Sequence, residues 1–223
     1  FGKVPELWKQ IVIGLSFGVV AILATEFGIP VEGAVLNVRN AAPLTAGLIF
    51  GWPAGLIAGL VGGVERWFSN AGDYTRLACS IGTIVAGIFG AGVRKFMMDN
   101  KKASWFYGLA VGVTSEVLHM LLVFLTNSDD IQRAFTVVKI CAIPMIAANG
   151  ISVMLSILAI TFLVKRSGQH ESDSSRKENI AQTFQRWLLV CVVLAFSVTT
   201  FFTHAFQTRL AYAQVDYSLK ASM

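Results

Sequence analysis

Charge is scarce in this sequence. Asp, Glu, Lys and Arg make up 14% of its 223 residues and hydrophobic residues 55%, whereas a soluble globular chain carries roughly 25% charge. So few charged groups cannot cover a water-facing surface, which excludes an ordinary soluble domain and leaves a membrane-embedded one. Cysteine is scarce too: Cys79, Cys141 and Cys191 stand alone in apolar segments, with no CxxC pair and no histidine at ligand spacing. That odd, scattered set excludes a disulfide framework and a zinc site, so neither metal nor cofactor is expected. A paired acid and base is also missing, and Cys79 has no histidine near it in sequence, so this chain does not read as an enzyme. The formal charge of +5 is better read as a record of membrane orientation than of nucleic-acid binding. Lipid is an expected partner and nucleic acid is not.

What the sequence has in quantity is apolar length. A span of lipid needs about 20 mostly apolar residues, and such stretches run from residue 8 to residue 207. Helices are predicted at about Trp8–Phe27, Leu77–Val93, Trp105–Thr126, Phe135–Val164 and Trp187–Phe206. Between the first two lies a linker, Val31–Asn40, and a glycine-rich stretch, Ala41–Phe68, interrupted at Gly51-Trp52-Pro53. Proline inside a helix removes a hydrogen bond and clashes with the preceding turn, so a break there is expected. Gly51, Pro53 and Gly55 form the predicted hinge.

Charge distinguishes one crossing from two in that stretch. With a hairpin at Pro53 and a cytoplasmic start, 11 of the 18 basic residues fall inside: Lys3, Lys9, Arg94, Lys95, Lys101, Lys102, Lys165, Arg166, Arg176, Lys177 and Arg186. A single crossing would move Arg94 to Lys102 outside, against the positive-inside bias. The expected fold is therefore an all-α polytopic membrane bundle: a six-segment core with a broken Gly-rich hairpin, plus one further C-terminal transmembrane helix. The short pair could be a re-entrant hairpin meeting in mid-bilayer. The predicted organisation is a core domain at 1–166, a polar cytoplasmic linker at 167–186, a helix at 187–206 and the start of an extracytoplasmic helix at 207–223. The chain begins with Phe1 and ends in an outward amphipathic run, so it is expected to be a fragment of a longer protein.

The polar residues in this apolar setting are the candidate site. Glycines at 47, 51, 55, 59 and 63 lie near one helix face and permit close packing. Arg39 and Arg66 flank the hairpin on the outer side. Two converging guanidiniums would make an anion site, and alternatively they snorkel to headgroups or pair with Glu26, Glu32 or Glu65. Cys79, Ser80 and Thr83 begin the next helix and face the same mouth, as ligand contacts or as interhelical bonding groups. Glu116 reads as an intramembrane countercharge or acceptor. His119, three residues on, reads as a packing residue and Asn149 as an interhelical donor near the ligand.

The ordered set Asn37-x-Arg39, Gly47-x-x-x-Gly51-x-Pro53-x-Gly55-x-x-x-Gly59, Arg66, Gly72, Cys79-Ser80-x-x-Thr83 and Gly87 resembles the multi-helix input domain of LytS-type bacterial receptors, over about residues 10–165. The resemblance implies a sensor of the bacterial inner (plasma) membrane, placed ahead of a histidine kinase, diguanylate cyclase or similar output. Some members of that family are receptors for pyruvate. Carried over, it implies Arg39, Arg66, Cys79 and Thr83, with Ser80 adjacent, as contacts for a small carboxylate, and a homodimer by analogy. This sequence departs from the family at Glu65, where histidine is frequent, and in the loop Ser69–Arg76. The fold is also similar to the substrate-binding subunits of vitamin importers, which supplies the alternative function: the binding subunit of a small-solute transporter.

Overall fold

The computed structural model describes residues 5–31, 33–70, 72–98 and 103–170, with side chains described as far as 163. The predicted helix at 187–206, the segment 207–223 and the linker beyond His170 lie outside the described residues. Two compact units divide the chain, 1–177 and 178–223, and the described residues all belong to the first.

Its helices are α1 (Glu6–Glu26), α2 (Ala41–Phe50), α3 (Trp52–Phe68), α4 (Arg76–Phe96), α5 (Trp105–Thr126) and α6 (Ile131–His170). Four of them, α1, α4, α5 and α6, are long and apolar enough to cross a membrane. This is the expected six-segment core. α5 has the predicted bounds, whereas α6 starts earlier than predicted and continues through Ser167 to His170 with Pro144 inside it. One element was not foreseen. Within the predicted linker, β1 (Ile29–Val31) and β2 (Ala34–Leu36) pair antiparallel, with Ile29 opposite Leu36.

The bundle has the burial pattern of a lipid-facing protein. Small residues point inward: α1 buries Gly14, Gly18, Ala21 and Thr25, and α3 buries Ala54, Gly55, Ala58, Gly59, Gly62 and Gly63. Large apolar residues such as Leu7, Val12, Val19, Val64, Phe106, Leu121 and Phe162 point outward. Lipid removes the drive to bury large side chains, so association relies on close backbone approach through small residues. At Gly87 and Gly55 the contact is tightest, because a Cβ on Gly87 would collide with the Gly55 carbonyl oxygen.

The broken stretch runs deeper than half-way. α2 ends at Gly51, whose φ of 97° and ψ of −161° belong to a region costing any residue with a side chain about 1–3 kcal/mol. Pro53 then falls in the first turn of α3, where its missing N–H is no loss. The turn lies beside Arg94 in the last turn of α4: Arg94 Nη1 donates to Leu48 O at 3.2 Å and also to Ile49 O. Along α4, Gly90 abuts Leu44 and Gly47 abuts Gly87, and on the return Gly55 abuts Gly87, Gly59 abuts Ile84 and Gly63 abuts Ser80. The hairpin thus reaches the C-terminal end of α4. Ten residues of α2 rise only about 15 Å, half of the roughly 30 Å hydrocarbon core. Ahead of α2 the chain is β2 followed by a turn at Arg39 and Asn40, with Ala34 to Asn37, Arg39 and Asn40 all buried. Non-helical backbone at such depth is stable only where protein satisfies it. Asn149 on α6 does so, donating to Asn37 O at 3.1 Å and accepting from Ala41 N at 3.2 Å.

Candidate functional site

The turn between β2 and α2 carries Arg39 into the bundle, where its side chain is 0% exposed. Arg39 Nε donates to Thr83 Oγ1 on α4 at 2.7 Å, Nη1 to Thr25 Oγ1 on α1 at 3.4 Å, and Nη2 to Cys79 O at 3.4 Å. Arg66 closes the buried face of α3 and is also 0% exposed. Its Nη2 donates to Gly72 O at 2.6 Å and the guanidinium also meets the Cys79 side chain, while Nε and Nη1 have no close hydrogen-bond partner among the described residues. Gly72 makes room for that contact, since a Cβ there would lie 3.1 Å from Arg66 Nη2 and 2.9 Å from Val35 Cγ2. Both arginines face Cys79 on α4.

Neither arginine snorkels, and neither makes an ion pair with a described carboxylate. Glu65 stands beside Thr25 and within electrostatic range of both guanidiniums, yet not at ion-pair distance. Glu32 lies outside the described residues. Two buried cations without a contacting anion are an unusual expense, since burying a charge costs several kcal/mol unless it is paired. What this geometry can do chemically is accept an anion of carboxylate shape, through the unfilled fork of Arg66 and the weakly engaged Nη1 and Nη2 of Arg39.

Around this pair the structure gathers Cys79, Ser80 and Thr83, all buried on α4. Ser80 Oγ has no partner among the described residues. Asn149 holds the backbone on either side of Arg39, as given above, and does not contact the guanidinium. Gly51, Pro53 and Gly55 lie toward the far end of α4, away from the arginines.

Sequence reasoning missed Asn40 and undervalued His119. Asn40, 2% exposed, joins three helices: its Oδ1 accepts from Thr83 Oγ1 at 3.0 Å and its Nδ2 donates to Glu116 Oε2 at 3.3 Å. His119 Nδ1 lies 2.8 Å from Glu116 Oε1 and 3.1 Å from Asn40 Nδ2. The shorter contact assigns the Nδ1 proton to Glu116. With Nδ1 on Glu116, the other side of the ring meets the Cys79 side chain. The imidazole absent from Cys79's sequence neighbourhood is thus brought to it by α5. The only signal for Asn40 was its place next to Arg39.

Above the arginines an open cleft of 610 Å³ is lined by Thr25, Glu26, Gly28, Pro30, Val35, Glu65, Phe68, Ser69 and Asn70. Thr25 belongs both to its wall and to the contacts of Arg39. This is the end of the bundle that holds the β-hairpin, the α3–α4 loop and the α5–α6 loop, where Tyr74 donates to Asp130 O at 3.0 Å and Arg133 stacks on the Tyr74 ring at 4.4 Å. Both arginines are fully buried at this end of the bundle.

The profile of the 5TMR of 5TMR-LYT family matches residues 3–162. The chain belongs to that family. Among curated proteins this domain is similar to the sensor histidine kinase YpdA of Escherichia coli (strain K12), 28% identical over 169 residues that cover 74% of this chain and 28% of YpdA. It is similar to the sensor histidine kinase BtsS of the same strain, 28% identical over 144 residues, 63% of this chain and 25% of BtsS. The sensor protein LytS of Staphylococcus saprophyticus is 30% identical over 174 residues, 69% of this chain and 28% of LytS. This domain spans about a quarter of the length of those relatives. No solved structure matches it. It is a multi-pass sensory domain of the bacterial inner (plasma) membrane, from a family whose relatives are named sensor histidine kinases or sensor proteins.

Proposed function

We propose that this domain binds a small, pyruvate-like carboxylate that enters from the outer cleft, and signals to a histidine kinase output elsewhere in the full protein. The observation that carries the reading is the pair of fully buried guanidiniums, Arg39 and Arg66, without a contacting carboxylate among the described residues. A ligand carboxylate would supply the missing charge and fill the free donors of Arg66. A homodimer is the expected assembly.

Binding can switch an output only through differential affinity for two arrangements. The residues around Arg39 are suited to that, because Asn40 and Asn149 tie them to α5 and α6. The test is a thermal-shift panel on the purified domain with pyruvate, lactate, acetate and propionate, each against its uncharged amide. Stabilisation by the acids and not by the amides is the expected result. Equal shifts from acid and amide would remove the anion reading.

A further inference from the structure

Glu116 lies at the bundle centre, 0% exposed, and does not touch either arginine. It is nevertheless linked to one of them. Arg39 Nε donates to Thr83 Oγ1 at 2.7 Å, Thr83 Oγ1 to Asn40 Oδ1 at 3.0 Å, and Asn40 Nδ2 to Glu116 Oε2 at 3.3 Å. His119 Nδ1 approaches the other carboxylate oxygen at 2.8 Å. Thr83 Oγ1 also reaches Cys79 O, at 2.8 Å, so its proton is shared between two acceptors; in the arrangement that places it on Asn40, every donor points from the guanidinium towards the carboxylate. Bonds aligned this way polarise one another.

The relay separates two demands on Arg39. A carboxylate in direct contact would neutralise the guanidinium but occupy its fork. Held by Nε alone at short distance, Arg39 keeps Nη1 and Nη2 on contacts of 3.4 Å, which a ligand could replace. The orientation of the Asn40 amide decides whether the relay exists. An acceptor at 116 draws the NH2 towards α5 and turns the C=O towards Thr83. An amide at 116 would accept either orientation.

We infer that Glu116 is a positioning residue of the anion site: acting through Asn40 and Thr83, it orients Arg39 and so sets ligand affinity without contacting the ligand. This rests on the anion-site reading above. The sign of the effect separates it from simple electrostatics, because removing a negative charge near an anion site would by Coulomb's law alone tighten binding.

The experiment is a set of double-mutant cycles on the purified chain in lipid nanodiscs, with pyruvate as the carboxylate probe in calorimetric titrations. Glu116→Gln is expected to weaken binding about tenfold, the scale of one hydrogen bond to a charged group, and Glu116→Asp to restore most of it. The same E116Q change should add nothing in an R39K background, where Nε and its bond to Thr83 are already gone, and its full effect in R66K. A packing defect would weaken binding equally in both. If E116Q fails to fold, Thr83→Val cuts the relay on α4 and is crossed with R39K and R66K in the same way. Tighter binding by E116Q, or an undiminished loss in R39K, overturns the inference and leaves the anion site standing. Wild-type affinity in both R39K and R66K overturns the anion site instead.

Discussion

Arg66→Ala separates a ligand-reading arginine from a structural one, because the two roles predict opposite effects on stability. Arg66, 0% exposed, donates to Gly72 O at 2.6 Å and leaves Nε and Nη1 without a close partner among the described residues. Truncation forfeits that bond, about 1.5–3 kcal/mol for a charged donor, and removes a buried cation whose desolvation costs several kcal/mol. The unliganded transition is therefore expected to stay level or rise. Binding should fall steeply, since deleting one partner of a buried ion pair costs about 3–5 kcal/mol. At 3 kcal/mol the dissociation constant rises by more than about a hundredfold. Wild-type protein at a ligand concentration of about 100 Kd gains about 2.7 kcal/mol, and R66A at that same concentration gains at most about 0.4 kcal/mol by the same relation. The assay is thermal unfolding followed by tryptophan fluorescence, with and without pyruvate, alongside calorimetric titration. Arg39→Ala is the contrast, since it breaks contacts to Thr83, Thr25 and Cys79 O and should lower the unliganded transition as well. If R66A lowers that transition as far as R39A does and keeps the pyruvate shift, Arg66 is structural and the reasoning fails.

Three further outcomes follow from the geometry. Glu65→Gln removes a negative charge from the cleft wall near both arginines, so carboxylate affinity should rise about threefold, within the roughly 0.2–1 kcal/mol of a partly exposed pair, and the gain should shrink with added salt in titrations. Gly87→Ala drives a methyl into the Gly55 carbonyl and should cost about 1–3 kcal/mol or more, read as loss of monodisperse protein on size exclusion, whereas Gly92→Ala, with nothing within 4 Å, should behave as wild type. Arg94→Ala strips the C-terminal carbonyls of α2 of their donor, and Gly51→Ala strains the turn. Each should lower the unfolding transition, by about 1–3 kcal/mol, while pyruvate affinity in titrations stays unchanged because the turn is far from the arginines.

The parts of this fold that were legible in the sequence are those where one physical term dominates. Hydropathy alone delimits α5, and Gly51 followed by Pro53 combines a backbone state open to glycine with a residue that tolerates only a helix start. The distribution of lysine and arginine favoured a hairpin at Pro53, and the stretch is two helices, α2 and α3, joined at Gly51. Less visible were features made by contacts across the chain. β1 and β2 are three residues each, too short for alternation to register. Arg39 sits in a polar run, Asn37 to Asn40, that reads as an interfacial loop. Arg39 is received by Thr25, Cys79 O and Thr83 on other helices, and Asn149, more than 100 residues away, satisfies the backbone on either side of it. Cys79 and His119 likewise meet only because α4 and α5 pack through Gly82, where a Cβ would lie 2.8 Å from the His119 ring.

That placement constrains how a ligand signal could travel. The hinge expected at Gly51 to Gly55 lies by the last turn of α4, latched by Arg94, so a ligand at the arginines does not touch it. Movement of Arg39 would instead act first on its covalent neighbours. Asn40 is bonded to Thr83 on α4 and Glu116 on α5, and Ala41 N to Asn149 on α6. α2 begins at Ala41, so any displacement of Arg39 must either break these bonds or carry α4, α5 and α6 with it. α6 is the described helix that runs furthest toward the C-terminus, to His170. A carboxylate that draws the two guanidiniums together would therefore load α6 through Asn149 before it could bend the hairpin. The polar contacts at Asn40 and Asn149, more than the glycine hinge, are where a substitution should uncouple ligand binding from output.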